Sequence, residues 1–302
     1  MFEQYRSSGR IGPLGIPAML LVGGVGAVVL GVVYAYVIAW IPFIYISCIA
    51  TIGFGAILGL GIDMAARFGR VRNTAAAHVL GFIAGGIGLY VAWAWDGMAR
   101  FSGEADMPVF WNPIALWGYV NLFYQEGFWT LVGDNAVTGI FLGVIWAIEA
   151  VVVVGASTLL AGSNASEPFC ESCGVWTDET EDFKRLLPPE DKDALVQLGE
   201  GNLDVLSEFT ACSPGKPQTI RLDLHACPEC ADTRYLTVNL ARVTMDDEGE
   251  VSDETTPIVE RMTLDAEKMD WLQRTLDDLP VDDSSDDEAD ESDEDEAEDE
   301  LQ

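Results

Sequence analysis

Residues 14–62 form an unbroken run of 49 positions without Asp, Glu, Lys or Arg. Coiled as helix at about 1.5 Å per residue, such a run would measure roughly 70 Å. A hydrocarbon core is only about 30 Å thick, so the run must cross a bilayer twice. Trp40-Ile41-Pro42 is the natural break, because proline lacks the amide hydrogen a helix interior needs and Trp40 with Tyr45 suits the headgroup boundary. The spans are expected near 16–39 and 43–62. Asn73-Thr74 can cap a third at about 75–96, and a fourth is expected at about 136–161, closed by Gly162-Ser163-Asn164. A cleaved signal peptide does not fit the N-terminus, whose apolar run is too long and lacks a polar sequel.

Charge divides the chain at the end of that fourth span. The formal net charge is −33, yet residues 1–162 hold 8 acids and 6 arginines, net −2, whereas 163–302 hold 41 acids and 10 bases, net −31. This distribution excludes a soluble single-domain enzyme. It also excludes a nucleic-acid binder working through a basic surface, since the polar half would repel phosphate. Arg6, Arg10, Arg67, Arg70 and Arg72 all fall on one side of a four-span arrangement, opposite only Arg100. The positive-inside rule makes that side cytoplasmic, and both termini with it. The expected location is therefore an integral one, in a bacterial inner (cytoplasmic) membrane.

Between spans three and four, Asn112-Pro113 is a cap followed by proline at the first helical position, and Ile114, Trp117, Val120 and Tyr124 recur at helical spacing until Gly127. With Phe110, Trp111, Phe123, Phe128 and Trp129 around it, residues 113–126 read as a helix lying in the outer interface. Within the spans, Gly55-x-x-x-Gly59 and Gly81-x-x-x-Gly85 have the spacing that lets helix backbones approach closely. Packing inside one bundle is their first reading, and a homo-oligomer face the second.

Glu149 lies deep in the fourth span, where an ionised carboxylate is costly. It must face the bundle or water, or carry a proton. Ser47 and Thr51 fall at comparable depths and offer hydroxyl partners, whereas His78 sits close to an end of span three and reads as interfacial. A small transporter or channel using Glu149 is the alternative function from a second class.

Among six cysteines, Cys48 is inside span two and behaves as a small apolar residue. Four others form Cys170-Glu-Ser-Cys173-Gly174 and Cys227-Pro-Glu-Cys230. Each pair can curl around one ion, and two such turns complete a tetrahedral thiolate site. Residues 219–224 and 236–240 alternate as strands into and out of the second turn, and Gly174 permits a positive φ after the first. The two turns and their strands resemble a zinc ribbon, and more loosely the paired knuckles of rubredoxins. The resemblance covers only these segments, and it implies Zn(2+) at Cys170, Cys173, Cys227 and Cys230, ahead of iron or disulfides. Cys212 and His225 lie outside the turns. A reducing cytoplasmic side disfavours disulfides.

Residues 174–226 are longer than a ribbon's usual connection and are expected to hold helices at 181–187, 190–199 and 203–210. Residues 235–244 and 257–263 should pair as a hairpin across the polar stretch 246–253, followed by a closing helix at 265–277. Few other core residues are evident, so the binding energy of the metal site should be folding energy for this domain. Residues 282–302 contain 14 acids and no base and should be disordered. No nucleophile-base pair, glycine-rich phosphate loop or paired carboxylates are evident, and four thiolates leave a metal no open position for catalysis.

The expectation is thus an α-helical polytopic membrane domain with four transmembrane helices (1–162), a small α+β zinc-ribbon-like cytoplasmic domain with a helical insertion (163–281), and an acidic tail (282–302). Its partners would be the lipid bilayer and a protein of basic character, not nucleic acid. Its role would be non-enzymatic interaction, assembly or regulation.

Overall fold

The computed structural model describes residues 3–41, 44–101, 109–127, 137–189, 192–214, 216–230, 232–245 and 251–282. Phe128, Trp129, most of the 246–253 stretch and residues 283–302 of the acidic tail lie outside the described residues. The chain divides into two compact units: Ser7–Glu167, and Met1–Arg6 together with Pro168–Gln302.

The first unit is helical. α1 (Gly15–Trp40), α2 (Ile44–Phe68), α3 (Thr74–Arg100) and α5 (Gly139–Leu160) are joined by the shorter α4 (Pro113–Glu126). Among the described residues, the first three and α5 are the four helices long and apolar enough to cross a membrane. Local chemistry marks their ends: the Asn73 side chain accepts from Ala76 N, and that of Asn112 accepts from Ile114 N and Ala115 N ahead of Pro113. α1 and α5 each pack against both α2 and α3. The buried seam is built of Met19, Ala27, Phe54, Leu58, Ile62, Ala84 and Val153, while Leu21, Ile49, Ile57, Phe82, Val151 and Leu159 stay exposed. A helix bundle in water would hide such side chains; in lipid they face a solvent as apolar as themselves. α4 buries only Leu116 and Tyr119 and leaves Ile114 and Trp117 exposed.

The connection after α2 is pinned by the segment before α1. Arg72 N donates to Arg10 O (2.8 Å), Gly12 N donates to Arg70 O (3.2 Å), and Ile11 bridges Val71. The backbones come so close there that a Cβ on Gly69 would lie 2.8 Å from Gly15 N. Only glycine fits on both sides.

The second unit is a sheet domain. β1 (Phe169–Cys170) and β2 (Val175–Trp176) form a separate two-stranded ribbon. β3 (Asp178–Leu187), β4 (Thr210–Cys212), β5 (Gln218–Ala226), β6 (Arg234–Met245), β7 (Val251–Thr263) and β8 (Val281–Asp282) form a six-stranded sheet in the order β7-β6-β5-β3-β4-β8. Among the described strands only β4 and β8 pair in parallel. Gln4 bridges Met262, Tyr5 N donates to Arg261 O (2.9 Å) and Thr263 N donates to Glu3 O (2.8 Å), so the N-terminal residues extend the sheet beyond β7.

α6 (Lys192–Gly199), a 3-10 turn at Leu203–Glu208 and α7 (Ala266–Asp277) supply Ala194, Leu198, Leu206, Leu272 and Leu276 to one apolar core with Ile220, Leu222, Leu236, Val238 and Phe209. Asp265 caps α7 by accepting from Lys268 N. Two expectations are corrected here. Residues 181–187 are strand, because β3 pairs with β5 along Leu186↔Ile220 and Arg185↔Arg221, long-range partners that override local helix preference. The core is also far larger than expected, so metal is not the domain's sole source of folding energy.

Candidate metal centre

The first knuckle follows from β1 and β2. Phe169 pairs with Trp176 and Cys170 with Val175, and the two aromatic rings meet edge to face with centroids 5.0 Å apart. Gly174 N donates to Cys170 O (2.8 Å), and Gly174 takes φ +72°, the left-handed conformation glycine adopts without strain. The second knuckle is the turn from β5 to β6, where Cys227 N donates to Thr233 O (3.0 Å). Together they bring the Sγ atoms of Cys170, Cys173, Cys227 and Cys230 within 4.8 Å of one another.

All four thiols are free. Cys170 Sγ and Cys230 Sγ are 3.7 Å apart, against about 2.05 Å for a disulfide. A tetrahedron with metal–sulfur bonds of about 2.3 Å has edges near 3.8 Å, so the spacing fits one ion and not a covalent bridge. Cys170 and Cys227 are buried and the other two half-buried. The Thr233 hydroxyl lies 3.2 Å from Cys170 Sγ, an outer partner for that sulfur.

Burial works against ionisation of Cys170, but hydrogen bonds from the Thr233 hydroxyl, the Cys173 amide and the thiols of Cys227 and Cys230 outweigh it and bring its pKa down to about 6. Cys173 is pushed up, chiefly by its hydrogen bond with Cys230, and burial pushes Cys227 up. Cys170 therefore ionises more readily than Cys173 or Cys227, and a divalent cation favours thiolate at all four. Burial also raises the phenol of Tyr235, whose ring lies tilted against that of Tyr5 with centroids 4.9 Å apart, to about 12. Among the described residues no other group of three or more His, Cys, Asp or Glu is arranged to hold a metal. Cys212 lies in β4, and His225 on β5 faces Glu179, with Nε2 and Oε1 3.5 Å apart.

The remaining sequence candidates lie in the helical unit. Gly55 and Gly59 of α2, and Gly81 and Gly85 of α3, all face α5. An added Cβ would meet Val153 O at 2.7 Å from Gly55, Ser157 O at 3.0 Å from Gly59, Ala161 Cβ at 2.7 Å from Gly81 and Val154 Cα at 3.1 Å from Gly85. Ser157 is the point where the two motifs converge, and its hydroxyl donates to Gly81 O (3.2 Å). Glu149 accepts a hydrogen bond from Tyr34 (2.7 Å), whose hydroxyl lies 2.9 Å from Thr51 Oγ1; Thr51 in turn donates to Ser47 O (2.8 Å).

Three clusters had not been anticipated. Tyr34 is one, although a tyrosine about 9 Å inside a helix of mostly small and aliphatic residues was a visible signal. Asp63 is another: it is buried and accepts from the backbone N–H and side-chain amide of Asn164, which occupies that amide in the Asn164-Ala-Ser166 sequon. The third is the polar face of β5, where buried Asp223 accepts from Asp182 N (2.8 Å), Arg221 Nη2 (2.9 Å) and Asn239 Nδ2 (2.6 Å).

Set against known protein families, curated proteins and solved structures, the chain matches none. What it does rests on the residues themselves.

Proposed function

We propose that this is a non-enzymatic integral membrane protein whose four spans present a zinc-stabilised, ribbon-like domain on the cytoplasmic side for protein interaction, assembly or regulation. The observation that carries the reading is the closure of two knuckles around four sulfurs. That donor set suits zinc and leaves no ligand position for a substrate. The arginine asymmetry supports the cytoplasmic placement. The pairing of residues 3–5 with β7 agrees with an even number of spans, which leaves the N-terminus and the sheet domain on one side, whichever side that is. The acidic balance of residues 163–302 favours a basic protein surface as partner.

Metal analysis of the full chain purified in mild detergent tests the assignment. About one zinc per chain is expected, lost when Cys227 and Cys230 are both changed to Ser. Protein that carries no metal, or retains wild-type content in the double variant, refutes it. Visible absorbance would instead assign iron to the same thiolates.

A further inference from the structure

Hydrogen counting along one row of oxygens inside the helical unit singles out a second site. Glu149 Oε1, Tyr34 Oη, Thr51 Oγ1 and Ser47 O follow one another at 2.7, 2.9 and 2.8 Å and link α5, α1 and α2. Each hydroxyl has one hydrogen, and Ser47 O has none. With Glu149 neutral, three hydrogens fill three gaps: Glu149 donates to Tyr34, Tyr34 to Thr51, and Thr51 to Ser47 O. With Glu149 ionised, Tyr34 must donate to the carboxylate. Thr51 then turns to donate to Tyr34, and Ser47 O keeps its helical backbone donor. Every hydrogen is donated in both arrangements, and they differ by one proton and by the direction of two hydroxyls.

We propose that Glu149 is a proton-binding site. It releases its proton to water at the membrane face bearing the α1–α2 turn, and the Tyr34 and Thr51 hydroxyls reverse direction as it does so. At each hydroxyl one O–H bond forms on the Glu149 side as its own breaks on the other, and water takes the proton that leaves. The depths along the helices put Glu149 deepest, Tyr34 and Thr51 at about one level, and Ser47 nearest that face. Ser47 and Thr51 lie about 5 and 10 Å inside the start of α2, Tyr34 about 9 Å from the end of α1, and Glu149 about 15 Å from the start of α5. These helix ends share one side of a four-span arrangement.

The charged groups reaching Glu149 from α3 are Asp96 and Arg100, which pair with each other at 2.8 Å, so their effects on a proton at Glu149 oppose. From α4, Tyr119 donates to Asp96 (2.7 Å), and on α2 Cys48 neighbours Tyr34. Tyr34 acts as a positioning residue. Its hydrogen bond to a carboxylate is stronger than to a neutral acid, so it favours release of the proton.

The full chain in proteoliposomes, treated with dicyclohexylcarbodiimide, which adds to protonated carboxyls in apolar surroundings, tests this. An adduct mapped to Glu149 by mass spectrometry is expected, diminishing as pH rises on the face of the α1–α2 turn and absent in Glu149→Gln. In Tyr34→Phe the pH midpoint should move upward, a shift that a purely structural contact would not produce. The infrared band of a protonated carboxyl in the wild type, titrating with the same midpoint, needs no variant. Absence of both adduct and band at every pH overturns the proposal, as does an unchanged midpoint in folded Tyr34→Phe. Suppression of labelling by sodium at fixed pH would overturn it in favour of a metal-cation site.

Discussion

Asp223 shows how much one side chain holds together in the sheet domain. Its side chain is 3% exposed, and both oxygens are engaged: one by the backbone N–H of Asp182, the other by Arg221 and Asn239. Asp182 sits at φ +51° where the pairing of β3 with β5 shifts register between Thr180 and Lys184, so Asp223 stabilises a backbone conformation that costs a non-glycine residue energy. Asp223→Ala would leave an arginine, an amide and a backbone N–H without their acceptor. Removing one partner of a buried ion pair costs about 3–5 kcal/mol, and chemical unfolding of the sheet domain should read a loss near the lower figure. Thr233 makes a gentler test. Thr233→Val removes the hydroxyl beside Cys170 Sγ with little change in volume and should weaken metal binding about 10-fold, measured by competition with a chromophoric chelator, with the fold intact. The cysteines were legible because their spacing is local. Asp223 was not, because alternate positions on a strand read as solvent-facing until the sheet is assembled around them.

At the scale of elements, α5 is the helix on which the bundle closes. Both glycine pairs press against it, so the small-residue spacing visible in the sequence encodes contact within one chain. Gly81→Ala would drive its methyl into Ala161 and the Ser157 carbonyl, and overpacking of this kind costs about 1–3 kcal/mol. Gly86→Ala, five residues along the same helix, meets nothing within 4 Å. The expected result is a lower midpoint of thermal unfolding in detergent for the first substitution and none for the second; equal effects would mean that the observed α3–α5 packing is not what holds the bundle. The four helices themselves were readable because uncharged length is decided locally against a fixed bilayer thickness. β3 was not readable. Phe183, Leu186 and Leu187 suit a short amphipathic helix as well as a strand, and only pairing with β5, some 40 positions away, decides between them. Tyr34 escaped for the same reason, since its partner Glu149 lies 115 positions away.

At the scale of the whole molecule, the two units should answer metal removal differently. β1 and β2 are two residues each and pair only with one another, and an isolated two-stranded ribbon is marginal in water. The six-stranded sheet has its own core beneath α6 and α7, including Leu198, Leu206, Phe209, Leu222 and Leu272, all essentially inaccessible to solvent. The helical unit is joined to the sheet unit through the chain at Arg6–Ser7 and at Glu167–Pro168 and holds no cysteine of the cluster. Metal binding therefore contributes its folding energy chiefly to the knuckles. Chelation of the full chain in detergent should raise amide hydrogen exchange at 169–177 and 227–233, leave β5 and β6 protected at their centres, and leave α1, α2, α3 and α5 unchanged. Collapse of protection across the whole sheet would show that the apolar core depends on the metal after all. A response extending into the helices would show that the two units fold as one.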